Sequence, residues 1–450
     1  MNENNPHDFL GTDKITPLLF KLSIPAMIGM ISNALYNVID TVFVGHGAGS
    51  LAIGGLTIAF PFQLIIGAFA LMYGVGAASV ISRRLGEGRA DEAALAGANA
   101  FILTLITALL ILLVGEVYLE KILIIFGATE DILPYAMSYM RIILIGAPFL
   151  SFTMCSNNIL RSEGLAKMSM NIMITGTVLN LILDPIFIFV FKMGIKGAAY
   201  ATIISQIIGS LYALSIFLRG KSTLKFHIRL FRLKLNYVKE ITLLGLATFI
   251  RQIGTSFMAL AVNNMVKIYG GDLAIAAFGM VNKLLALVLM PIFGMNQGLQ
   301  PIIGYNYGAK KYQRVKDVLK TAMRITTLIG LSFSIVALIF PRTILKMFTV
   351  DPDLLDLGVV ALRFIISSMV LLGIQSCGTT YFQALGKSMA SIFLGMSRQF
   401  IILIPLVLIL PRFLGLNGVW LAFPSADILA SLITAIWLII DLKKLFKDKL

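Results

Sequence analysis

Gly49-Ser50-Leu51-Ala52-Ile53 and Gly271-Asp272-Leu273-Ala274-Ile275 are two copies of one segment, 222 residues apart. Outward from them the same offset keeps working. Gly76, Ile81 and Gly86 fall on Gly298, Ile303 and Gly308, while Phe126, Arg141, Cys155, Gly164 and Ser169 fall on Phe348, Arg363, Cys377, Gly386 and Ser391. The register later slips by one, so that Gly197 meets Gly418. A single register held through loops and apolar stretches alike marks an internal duplication. In an apolar chain that is a common plan for a secondary transporter, whose two similar bundles rock around a shared site.

The chain is that apolar. Of its 450 residues 58% are hydrophobic and 13% charged, more apolar surface than a soluble domain can hide. Runs of about 20 residues, enough to cross ~30 Å of hydrocarbon, recur near 16–43, 52–80, 93–115, 132–155, 165–190, 196–218, 238–268, 276–303, 318–340, 355–378, 388–410 and 417–440. The runs are continuous rather than alternating, which excludes a β-barrel, and their Gly and Pro content suits membrane helices. The expected fold is an all-α membrane protein of twelve transmembrane helices in two pseudo-symmetric six-helix bundles. Residues 1–218 would form the N-terminal bundle, 219–239 a basic cytoplasmic linker and 240–450 the C-terminal bundle. Six is even, so both halves enter the membrane in the same direction and their symmetry axis runs along its normal.

A net charge of +15 would suit nucleic-acid binding, but its distribution is topogenic. Arg83, Arg84 and Arg89, then Arg219 to Lys239, then Lys310 to Arg324, and finally Lys443, Lys444, Lys447 and Lys449 all fall on one side if the spans alternate. The opposite loops hold a few bases, among them Lys121, Lys192, Arg342 and Lys346, beside Glu116, Glu120, Asp351 and Asp353. Positive charge stays inside, so both termini are expected in the cytoplasm. The linker, with Leu224, Phe226, Ile228, Leu230 and Leu233 among its bases, reads either as a membrane-surface segment or as a solvated connector. The matched loops Arg84–Arg89 and Asn306–Lys311 place Gly86 and Gly308 where a helix end would use a positive φ. No cleavable signal sequence is evident. Cys155 and Cys377 sit at matched positions inside spans and read as packing residues. Three scattered His and two Cys make no metal cluster, and no phosphate-binding loop or catalytic constellation stands out.

Ionisable residues inside spans carry the functional information, because each costs roughly 2.5–3.5 kcal/mol on insertion scales. Asp40 follows Asn33, Tyr36 and Asn37 at helical spacing, so the four share a face. Asp184 follows Asn180 by a turn, on a face with Met173 and Thr177. At ~1.5 Å per residue, Asp40, Asn180, Asp184, Thr202 and Tyr139 come out in the same outer leaflet. An all-oxygen set of this kind suits a hard cation or a proton held between carboxyls. In the second half the matched positions are Val262, Ile402 and Leu406, so a scaffold role common to both halves does not explain the acids. The second half instead holds Arg251, Lys283, Arg363 and Arg398 within its spans, with one deep acid, Asp427, expected to neutralise one of them.

The segment Pro25…Asn33-Ala34-Leu35-Tyr36-Asn37-Val38-Ile39-Asp40-Thr41-Val42-Phe43-Val44-Gly45, with Asn157…Arg161-Ser162-Glu163-Gly164 and Asn180…Asp184-Pro185, resembles the multidrug and toxic compound extrusion (MATE) transporters, and within them the DinF-like branch. The likeness covers nearly the whole chain. It implies a cation site at Asp40, Asn180, Asp184 and Thr202, with Tyr139 and Asn157 in the surrounding network; the first four would be metal ligands if Na⁺ binds. It also implies that the first helix can bend at Pro25. Substrate is then expected against Asn33, Tyr36, Asn37 and Asp40, with Phe149 and Met173 offering adaptable apolar surface. The expectation is a cation-coupled multidrug antiporter, H⁺ preferred over Na⁺, exporting cationic or amphipathic drugs or dyes by alternating access. It would be a monomer of the cell (inner) membrane in contact with lipid, with no cofactor beyond the ion, no nucleic-acid partner and no enzyme activity. A flippase for a lipid-linked precursor is the alternative, kept open by the four bases of the second half.

Overall fold

The computed structural model describes residues 7–447, so Lys449 and the end of the 240–450 range lie outside the described residues, as does the side chain of Lys447. Almost every described residue is helical. The twelve expected spans are present as eleven continuous apolar helices, because two spans run together in Leu235–Gly308. That helix breaks at Gly271, where φ is 67° and ψ −166°. We number the spans α1 (Ile15–Ala48), α2 (Ser50–Gly86), α3 (Ala90–Ile125), α4 (Leu133–Ser162), α5 (Ala166–Val190), α6 (Gly194–Leu218), α7 and α8 (the parts of Leu235–Gly308 before and after Gly271), α9 (Tyr312–Ile339), α10 (Pro352–Ala384), α11 (Ser388–Leu414) and α12 (Leu416–Phe446).

The duplication is written into the backbone. Left-handed residues recur at matched positions: Gly49 and Gly271, Gly164 and Gly386, and, after the one-residue slip, Gly194 and Gly415. Gly164 and Gly386 close α4 and α10 with the same pair of bonds. Leu165 N–H reaches the Leu160 carbonyl at 2.9 Å and Lys387 N–H the Phe382 carbonyl at 2.9 Å, the long bond of a Schellman cap. The α2 and α8 ends use the same cap, but its left-handed residue is not the glycine the sequence suggested. Gly86 and Gly308 are the last helical residues, and the positive φ falls two residues later, on Gly88 and on Lys310. A lysine there costs ~1–2 kcal/mol, which the cap bonds from Lys310 N–H to Tyr307 and from Lys311 N–H to Asn306 help offset.

By contacts the chain forms two compact units, one of residues 7–9 and Ile24–Phe249, the other of Leu10–Ser23 and residues 250–447. The units and the sequence halves therefore do not share boundaries. The base of α1 belongs to the second unit and the base of α7 to the first, and the contacts that hold them are twins. Within the first unit a Cβ on Gly76 of α2 would collide with the Ile241 carbonyl, and one on Gly245 of α7 with the Met72 carbonyl. Within the second unit a Cβ on Gly298 of α8 would collide with Ser23 of α1. Gly76 matches Gly298 and Ser23 matches Gly245 at the repeat offset.

The segment 219–239 is mostly exposed and carries one short 3-10 turn, Ile228–Leu230. It is a strap tied to the first unit. Asn99 of α3 holds it by donating to the Arg232 carbonyl at 3.2 Å and accepting from Lys234 N–H at 2.8 Å. Phe226 packs against Phe101 and Phe217, with ring centroids 5.6 Å and 5.5 Å away. Glu163, just past α4, accepts from the Ser222 hydroxyl and from both the N–H and the hydroxyl of Thr223. The first unit's core gathers around Phe62, Ile66, Tyr139 and Leu144, the second's around Phe278, Trp420 and Phe423. Packing of this kind, rather than a hydrophobic driving force, holds helices together in lipid.

Candidate functional site

Four helices of the first unit deliver the predicted residues to one place. Tyr36 and Asp40 lie a turn apart on α1, Tyr139 on α4, Asn180 and Asp184 a turn apart on α5, and Thr202 on α6. Asp184 is 0% exposed and Asp40 6%, and their carboxyls are in hydrogen-bonding contact with each other. With its amide turned to satisfy both ends, Asn180 donates to Asp184 Oδ2 at 2.8 Å and accepts from the Thr202 N–H at 3.1 Å and hydroxyl at 3.3 Å. The Tyr36 and Thr202 hydroxyls meet at 3.3 Å. The Tyr139 hydroxyl accepts from Gln63 Nε2 of α2 at 3.2 Å. Gln63 is the member that sequence reasoning missed. It is an uncharged polar residue in the middle of a span, and only its direction, invisible in the sequence, gives it a role.

The other expected residues are placed differently. Asn33 and Asn37 share the α1 face but are exposed, bonded to each other through the Asn37 amide and the Asn33 carbonyl at 2.8 Å. Met173 packs on α1 at Gly29, and Phe149 is half-buried. Asn157 stands apart from the acids. The helix α4 continues unbroken through Pro148, and eighteen residues separate Asn157 from Tyr139, ~27 Å along the axis. It is buried with its Oδ1 unbonded, and no bond joins it to the acidic pair.

The chemistry of the pair follows from its neighbours. Among the described residues no Lys, Arg or His forms an ion pair with Asp40 or Asp184, and no group of three or more His, Cys, Asp and Glu gathers there or elsewhere. Two carboxylates ~4 Å apart at an effective dielectric near 20 repel by about 4 kcal/mol. They therefore need a proton between them or a cation upon them. One oxygen of each, Asp40 Oδ1 and Asp184 Oδ1, is buried without a partner. Those orphaned oxygens, with the Thr202 and Tyr36 hydroxyls alongside, fit a proton or a small hard cation.

The second unit answers the same problem without an ion. Its deep acid, Asp427 of α12, accepts from Arg398 Nε at 2.5 Å and from the Ser368 hydroxyl at 2.7 Å. The expected neutralisation is present, and Arg398 is the base that supplies it.

Twelve apolar spans in a twofold repeat, with one acidic pair buried in the first unit, define a membrane transporter, and comparison with known proteins identifies which. The MatE family matches residues 25–186 and 247–409, once in each half, and the chain belongs to that family. It is 28% identical over 414 residues to the multidrug export protein MepA of Staphylococcus aureus (strain MSSA476), covering 92% of this chain and 91% of MepA. It is 42% identical to the MATE multidrug transporter DinF-BH, solved in complex with a small-molecule ligand, with a TM-score of 0.89 and coverage of 96% and 97%. A MATE protein solved in a bent conformation superposes with a TM-score of 0.94 at 27% identity, covering 99% of both chains. The resemblance to the DinF-like branch thus rests on whole-length similarity as well as on motifs.

Proposed function

We propose that the chain is a multidrug efflux antiporter driven by a cation, H⁺ in preference to Na⁺, that binds at Asp40 and Asp184. The observation that carries the proposal is the contact between two buried carboxyls with no basic partner. Occupancy by an ion decides whether that pair is charged, and Asp40 sits on the α1 face that bears Asn33, Tyr36 and Asn37. A cationic or amphipathic drug held against that face, with Phe149 and Met173 as apolar neighbours, competes with the ion for the same negative charge. The names of MepA and of DinF-BH, the latter solved with its small-molecule ligand, support this substrate class; they lend nothing to the lipid-flippase alternative.

In the proposed cycle the loaded transporter opens outward by alternating access, and the entering cation neutralises Asp40 and Asp184. The drug loses its counter-charge and leaves. If Na⁺ is the ion, Asp40, Asn180, Asp184 and Thr202 are its ligands. Exchange of one H⁺ for one monovalent drug moves no net charge, so the pH gradient supplies ~1.4 kcal/mol per unit. A neutral drug adds ~2.3 kcal/mol per 100 mV. The protein works as a monomer in the cell membrane with both termini cytoplasmic. The test is dye efflux from proteoliposomes under imposed pH or Na⁺ gradients. Wild type is expected to export dye when the gradient is applied and Asp40→Asn to lose at least tenfold in rate while remaining folded. Full efflux by Asp40→Asn would refute the coupling role.

A further inference from the structure

The ion pair of the second unit has no part in that cycle, yet it occupies a telling place. Ser368, Arg398 and Asp427 lie on α10, α11 and α12, the repeat counterparts of α4, α5 and α6, which supply Tyr139, Asn180 with Asp184, and Thr202 to the first unit's site. In the repeat register Ser368 matches Gly146, Arg398 matches Gly176 and, after the slip, Asp427 matches Gln206. The structure repeats the contact as well as the sequence. A Cβ on Gly146 would lie 2.5 Å from Gln206 Oε1, just where Ser368 meets Asp427 in the second unit. Each unit thus buries acidic charge at the same three-helix junction, shifted by a turn or two, and the two differ in what neutralises it. The first unit has glycine where the second has Arg398, and its acids have no base. The second has Val262, Ile402 and Leu406 where the first has Asp40, Asn180 and Asp184, and its deep acid, Asp427, has both oxygens satisfied.

We propose that Arg398 is a tethered counter-ion: its guanidinium permanently fills, at Asp427, the place that a mobile cation takes at the acidic pair of the first unit, so that the second unit does not respond to the coupling ion. Removal of the guanidinium turns Asp427 and Ser368 into a second site for H⁺ or a monovalent metal cation. The proposal rests on the cation-coupled reading of the first unit and goes beyond it. Arg398 is 21% exposed and Asp427 3%, so the carboxyl is buried beneath a partly accessible guanidinium. Other charges stand off. Arg363 on α10 is exposed, as is Arg412 at the far end of α11. Lys387 pairs with Asp441, ~21 Å further along α12. Lys316, at the start of α9, lies over Phe446. Arg251 of α7 forms no ion pair with Asp427 among the described residues; its carbonyl accepts from the Thr255 hydroxyl at 3.1 Å, which in turn accepts from Gln399 at 3.1 Å.

The chain carries its own reporters. Its two tryptophans, Trp420 and Trp437, are both on α12, on either side of Asp427. Their emission is followed in the full-length purified protein from about pH 5 to 9, and against NaCl at fixed pH, in an Asp40→Asn/Asp184→Asn background that silences the first unit. With Arg398 intact, or as Arg398→Lys, emission is expected to stay flat. Arg398→Gln is expected to gain a single transition with pH or Na⁺, and Arg398→Gln/Asp427→Asn to lose it. If Arg398→Gln alone is too unstable to purify, the added Asp427→Asn is expected to restore its yield. An Asp427-dependent transition with Arg398 in place, a flat response in folded Arg398→Gln, or failure of Asp427→Asn to rescue an unstable Arg398→Gln would each overturn the proposal. The efflux assay on Asp40→Asn reads the first unit alone, so failure there is seen separately.

Discussion

Four buried acids, Asp40, Asp184, Asp427 and Glu163, solve one electrostatic problem in three ways. Asp40 and Asp184 lean on each other with one oxygen of each unbonded, Asp427 takes a guanidinium, and Glu163 takes protein hydrogen bonds. Glu163, outside the spans, is 1% exposed. Burial pushes its carboxyl above the usual 4.5, while the bonds from Thr223 and Ser222 pull it back. The sign is definite. An acid whose native value exceeds its unfolded value binds more protons when folded, so its contribution to stability falls as pH rises from 4.5 through the raised value. Glu163→Gln removes that titration and replaces one of the two acceptor oxygens by a donor, which weakens the bonds from Ser222 and Thr223 by about 0.5–1.5 kcal/mol. The melting temperature of wild type is therefore expected to exceed that of Glu163→Gln most at acid pH, with the gap narrowing above pH 4.5. A gap that widens with pH would mean that the bonds outweigh burial. His7, whose ring nitrogen lies 3.1 Å from the Glu163 carbonyl, runs the opposite way. Burial lowers its value below 6.5, so its contribution is lost as pH falls under 6.5, and His7→Asn is expected to flatten that limb of the melting curve.

At the scale of elements, the tightest constraints are the glycine crossings. A Cβ on Gly245 would meet backbone of α2, not a flexible side chain, so the helices must part to admit it. Gly245→Ala is expected to cost about 1–3 kcal/mol and to lower the melting temperature. Gly279→Ala, with nothing within 4 Å of its added carbon, is expected to be neutral or to gain up to ~1 kcal/mol from helix propensity. Equal effects at the two sites would remove the steric argument. Elements also show why some features could be read in the sequence and others could not. Apolar length reveals twelve spans because lipid imposes it, the repeat offset pairs them across the duplication, and depth counting along straight helices suffices to bring Asp40, Asn180, Asp184 and Thr202 together. The same counting holds Asn157 apart, because α4 stays helical through Pro148. What resists it is azimuth. Whether Gln63 faces Tyr139, or which of four bases meets Asp427, depends on helix rotation. On α11 the rotation is altered by a π-helical stretch at Ser397–Leu403, which includes Arg398 itself. The strap was illegible for another reason. Asn99 holds it through backbone groups and Glu163 through two hydroxyls and one N–H, and such bonds leave no periodicity.

For the whole molecule, orientation decides from which side the coupling ion has the short route to its site. The acidic pair lies toward the ends of α1 and α5 that face away from the basic loops. Asp40 is eight residues from Ala48, the end of α1, which is ~12 Å. If the basic loops are cytoplasmic, a proton entering from outside has a short route to Asp40 and arrives down its gradient. If the protein were inserted the other way, the ion would have to cross most of the span to reach Asp40, although the gradient would still drive H⁺ inward against drug outward. The native cysteines make this easy to check, because Cys155 and Cys377 are both 0% exposed and need not be removed. Lys346→Cys, in the exposed loop between α9 and α10, is expected to react with a membrane-impermeant maleimide on intact cells. Lys221→Cys, exposed in the strap, is expected to react only after permeabilisation. The reverse labelling pattern would put the acidic pair near the cytoplasm, and the short outer route to Asp40 would be lost.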